Sequence, residues 1–204
     1  MSSGASPQEV ASAMISFASS FGLLKNSIIY VSTPITTGKN YLNWLKIIEE
    51  ASIREEREPI PSRETFVKAR NIESAQSLVE RIRQQFPEPI LDPTQLEDIR
   101  DWTQEDYKDF WIRVLNHFVF KVVMADGWEF SNGSVSEYVA ALEKGLPVLA
   151  ENLTPLTPEM AFERLTVANA EFQLLNQELS AISTALHLVR NYLDLRKIVE
   201  TKND

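Results

Sequence analysis

Asp126, Glu129 and Glu137 are carboxylates gathered around one stretch of small and polar residues, Ser131-Asn132-Gly133-Ser134. Glycine and small polar residues at a helix start leave backbone N–H groups free to meet an anion. A carboxylate placed there is expected to stay ionised, because the helix dipole favours its charge. An ionised, held carboxylate can attack the anomeric carbon of a sugar. The plainer alternative is a helix cap, with Ser134 as the N-cap and Glu137 closing a capping box three residues on.

The elements around that stretch alternate. Residues 27–31 (SIIYV) and 118–124 (FVFKVVM) are apolar and β-branched, and read as buried strands. Shorter strands are predicted over 87–91 and 146–149. Helical spacing marks 7–21, with Ser6 and Glu9 as a capping box, and then 40–51, 65–85, one or two helices over 96–117, and 134–144. Residues 52–63 are charged, punctuated by proline, and read as an excursion. This order predicts an α/β fold: a doubly wound, mostly parallel sheet, a flavodoxin-like or Rossmann-like sandwich. In such sheets ligands bind at the carboxyl ends of the strands, where the loops 32–38 and 126–134 fall.

The last third differs. Leu165, Ala168, Phe172, Leu175, Leu179, Ile182, Leu186, Val189 and Leu193 alternate spacings of three and four, with no glycine or proline after Pro158. That heptad seam predicts one long C-terminal helix over 158–204, and a homo-oligomer through residues 160–195. Two helices folded back on the domain are the alternative. The resulting division is an N-terminal helix (1–26), an α/β domain (27–152) and the C-terminal helix.

Bulk properties narrow the chemistry. The chain has 204 residues and a net charge of −9, which disfavours nucleic acid as a partner. It has no cysteine and two histidines, His117 and His187, which disfavours a thiolate or multi-histidine metal site. No apolar run approaches membrane-spanning length and no basic segment precedes an apolar one near residue 1, so a cytoplasmic protein without a membrane partner is expected.

Asp126-Gly127-Trp128-Glu129, Ser131-x-Gly133-x-x-x-Glu137, Ala140-Ala141 and Gly145-Leu146-Pro147-Val148, together with Ile29-Tyr30-Val31-Ser32-Thr33-Pro34-Ile35, resemble the nucleoside 2-deoxyribosyltransferase-like superfamily over roughly residues 27–150. The resemblance implies cleavage of the N-glycosidic bond of a nucleoside or nucleotide by a retaining route, with Glu137 as nucleophile and no metal or cofactor. It points to Asp109 as a second acid, with Asp106 next. Ser131 stands where nucleoside transferases carry an aspartate and where 5'-monophosphate N-glycosidases carry a serine, which favours a nucleotide; a plain loop serine is the alternative. Tyr30, Ser32, Thr33, Pro34, Thr36, Thr37, Gly38 and Asn40 become candidates for substrate contacts in the first loop. Asp126, Trp128, Asn132, Gly133 and Ser134 are the candidates in the second. Trp128 could stack on a base or simply pack. The same residues also allow a non-catalytic nucleotide sensor.

Overall fold

A computed structural model describes residues 6–203 apart from 21, 23–24, 55–59, 97–98 and 100. Helix α1 (Pro7–Ser20) starts at the predicted capping box: Ser6 N donates to Glu9 Oε2 at 2.7 Å, and Glu9 N to Ser6 Oγ at 3.3 Å. It is not a separate unit, because Ala11 joins the main hydrophobic core. Part of the excursion over 52–63 lies outside the described residues.

Four strands, β1 (Ile28–Ser32), β2 (Ile90–Leu91), β3 (Val119–Met124) and β4 (Val148–Ala150), pair in parallel in the order β2-β1-β3-β4. Strands β1 and β2 are joined through α2 (Lys39–Arg54), a π turn (Glu64–Lys68) and α3 (Ala69–Arg83). Helices α4 (Gln104–Phe118) and α5 (Asn132–Glu143) precede β3 and β4.

Both faces of the sheet are covered, as the largely apolar runs of β1 and β3, interrupted by Lys121 in β3, require. The strand period of two divides them. Ile28 and Tyr30, with Val122 and Met124, pack beneath α4, α5 and the C-terminal helices. Ile29, Val31 and Val123 pack against Leu78, Val79 and Ile82 of α3. This is the doubly wound α/β architecture. The chain reverses its direction across the sheet between β1 and β3, and a crevice opens beyond their carboxyl ends.

The C-terminal third corrects the sequence reading. The single long helix is broken into α6 (Pro158–Leu174) and α7 (Ser180–Asn203). Asn176 takes φ +51° at the break, and Gln177 N returns to Phe172 O at 2.9 Å, a left-handed helix ending that asparagine tolerates. Leu165, Ala168 and Phe172 on α6 and Leu179, Ile182 and Val189 on α7 are all buried in the main core. The stripe is covered within one chain, so it no longer calls for a partner over 160–195. No helix among the described residues is long and apolar enough to cross a membrane.

Candidate functional site

Tyr30 and Ser32 are two residues apart on β1, so both side chains leave the same face of the sheet. Helix α5 lies on that face. Its N-cap is Ser131, whose Oγ accepts from Ser134 N at 3.4 Å. The predicted Ser134–Glu137 capping box is therefore not formed. Glu137 stands on the second turn and turns inward, because the hydroxyls of β1 lie beneath it. Tyr30 Oη donates to Glu137 Oε1 at 2.7 Å, and Ser32 Oγ donates to Oε2 at 2.6 Å.

The carboxyl group is 6 % exposed at the residue level. Burial pushes its pKa up to about 7, against the opposing pull of the Ser32 and Tyr30 hydrogen bonds. This corrects the expectation of a fully ionised group at a helix start. Desolvation outweighs the dipole once the side chain is in the second turn and covered by the sheet. The Tyr30 hydroxyl is pushed far up as well, first by burial and then by the Glu137 charge.

Glu137 opens onto a cavity of about 310 Å³. One wall is the start of α5, Ser131 to Ser134; within the described residues the N–H groups of Asn132 and Gly133 have no partner. A second wall is the loop after β1, with Thr33, Thr36 and Thr37. Thr33 is 7 % exposed, and its Oγ1 is buried without a hydrogen bond. The remaining walls bring Arg63 and Lys68 from around the π turn, and Gln104, Tyr107, Lys108 and Trp111 from α4.

The loop is held from behind. Asn71 Nδ2 of α3 donates to Ile35 O at 2.9 Å and Thr37 O at 2.7 Å, while its Oδ1 accepts from Asn40 at 2.8 Å. Gly38 has φ +87°, and a Cβ there would lie 2.6 Å from Pro34 Cβ. Gly38 N donates to Phe130 O at 2.9 Å, tying the two loops together. Gly38 and Pro34 thus shape the loop and are absent from the cavity wall, and Asn40 acts through Asn71.

Several predicted residues fall elsewhere. Asp109 is exposed and outside the cavity, because helical periodicity turns it away from the wall that carries Tyr107, Lys108 and Trp111. Asp106 is spent on the α4 capping box with Thr103. Asp126 pairs with Lys39 at 3.1 Å on the surface. Trp128 is fully buried in a 3₁₀ turn, its ring 4.8 Å from that of Tyr138, so it is core and no base platform. Glu129 is buried, with its nearest cation, Arg164 Nη1, at 3.7 Å from Oε2, and desolvation raises its pKa. Asn132 Oδ1 accepts from Ala181 N at 3.1 Å and so anchors α7 to the start of α5.

Sequence reasoning missed the three cations and Asn71. Nothing local marks them, since the cations reach the cavity, and Asn71 the loop behind its wall, from segments far from Glu137 in the chain. The pairing of Tyr30 and Ser32 with Glu137 did leave a signal, the shared-face spacing on β1. Among the described residues no group of three or more acids or histidines could hold a metal ion. Comparison with models of known families, with curated proteins and with solved structures finds no match for this chain.

Proposed function

We propose that this chain cleaves the N-glycosidic bond of a (deoxy)nucleotide through a glycosyl ester on Glu137. The observation that carries the reading is a buried carboxylate, held by two hydroxyls at the carboxyl end of β1 and facing a cavity whose wall is the open start of a helix. One Glu137 oxygen attacks the anomeric carbon as the C–N bond breaks. The electron pair leaves with the base, which takes a proton from water or a cavity hydroxyl. Water, or a second base in a transferase, then attacks the same carbon and frees the carboxylate, its proton returning to the hydroxide or hydroxyl that protonated the leaving base. Tyr30 and Ser32 orient the carboxylate, and burial keeps it poorly solvated and so reactive toward developing positive charge on the sugar.

Mixing the protein with a panel of nucleosides and nucleotides and assaying free base tests the reading. Base release that is abolished in Glu137→Ala supports it; release that survives sinks it. The absence of Asp109 from the cavity favours a second reading, a nucleotide sensor without turnover. Nucleotide binding with no base release, unchanged in Glu137→Gln, would establish that one.

A further inference from the structure

The cavity holds more positive charge than one phosphoryl group uses. Among the described residues Arg63, Lys68 and Lys108 line it, against the one carboxylate of Glu137. Arg63 Nη2 donates to Thr36 O at 2.7 Å, and its guanidinium carbon lies 4.6 Å from the Tyr41 ring centroid. These contacts fix it at the cavity edge with donors to spare, and among the described residues it has no carboxylate partner. Lys68 pairs with Glu64 at 3.5 Å and Lys108 with Glu105, but those glutamate side chains are 76 % and 70 % exposed. The Lys108–Glu105 pair, at the surface, is weak and yields to a better-placed anion.

Two separate receivers therefore face one space. The start of α5 offers Ser131 and the N–H groups of Asn132 and Gly133. The Arg63–Lys68 side offers charge, and the buried Thr33 Oγ1 lines the same cavity without a partner. A single phosphate, with a charge of about −2 at most, is matched by the helix start and one cation.

Resting on the reading of this cavity as a nucleotide site, we propose that its substrate carries a pyrophosphoryl group, as in a nucleoside di- or triphosphate. One phosphoryl sits over the start of α5 and the next against Arg63 and Lys68.

Calorimetric titration of the full chain with orthophosphate and pyrophosphate, at fixed ionic strength, tests this. Pyrophosphate is expected to bind about tenfold or more tightly than orthophosphate. The preference should collapse in Arg63→Gln and in Lys68→Gln, and persist in Arg63→Lys. Equal binding of the two anions, or a preference untouched by both neutral variants, overturns it. A parallel free-base assay on nucleoside mono-, di- and triphosphates separates the two readings. A pyrophosphate preference without base release keeps this inference and removes the glycosidase. Base release that is equal from all three, without the preference, does the reverse.

Discussion

Helices α5 and α6 both start on a hydroxyl cap, Ser131 accepting from Ser134 N and Thr157 from Met160 N, and each carries a glutamate near that start. Glu159 lies in the first turn of α6, exposed to water; its own backbone N–H and the Thr157 hydroxyl lower its pKa, with help from Arg196 and Lys197. Glu137 lies one turn deeper in α5, buried under two hydroxyls, and its pKa is raised to about 7. Position along the helix makes the difference. A first-turn acid meets free N–H groups and solvent, whereas a second-turn acid facing the sheet loses solvent and gains only what the neighbouring strand supplies. One glutamate is a helix-start charge; the other is held out of solvent, at a cost in stability once ionised.

Replacing the two glutamates breaks the comparison most strongly. Glu137→Gln should lower base release by about 10⁴-fold or more, while Glu159→Gln leaves it unchanged. Stability should move the other way. Because the folded-state pKa of Glu137 lies above its unfolded value near 4.5, stability is lost as pH rises from about 4.5 through about 7, by roughly 3 kcal/mol. Glu137→Gln escapes that loss, since both hydroxyls can rotate to suit the amide. Denaturant titration should find the variant more stable than wild type at pH 8 by up to that amount, and equal to it near pH 4. Glu159→Gln should cost less than about 1 kcal/mol at either pH.

A smaller effect sharpens the role of the β1 hydroxyls. Base release by the wild type should rise with an acid limb near pH 7, as Glu137 loses its proton. Tyr30→Phe removes one donor to the carboxylate, a bond worth about 1.5–3 kcal/mol to a charged group. The acid limb should move to higher pH by about one to two pH units, with activity recovering in alkali. A limb that stays in place would mean that Tyr30 only packs. Smallest of all, Asp109→Asn should stay within about twofold of wild type, as a surface change does. Lys108→Gln, one position earlier but on the cavity wall, should weaken nucleotide binding several-fold.

What could be read from the chain and what could not divides along the same line. Apolar periodicity placed β1, β3 and α5 to within a residue or two, because each buries a face whose period is written locally in Ile28–Ser32, Val119–Met124 and Val135–Ala141. The strand–helix alternation determined the parallel sheet, and with it the end where loops 32–38 and 126–134 meet. The spacing of Tyr30 and Ser32 put both hydroxyls on one face. The seam from Leu165 to Leu193 was equally legible, but its spacing is the same whether a second chain or a second helix of the same chain covers it. Only Asn176, turning back at φ +51°, decided that. The protonation of Glu137 was likewise invisible, since a dipole acts along the helix while desolvation depends on what packs against it. Arg63, Lys68 and Lys108 line the cavity, and Asn71 braces its first loop, solely because α3, α4 and the π turn converge there in space. Local pattern determined the elements and the carboxylate; tertiary packing decided its charge, its partners and the cations it faces.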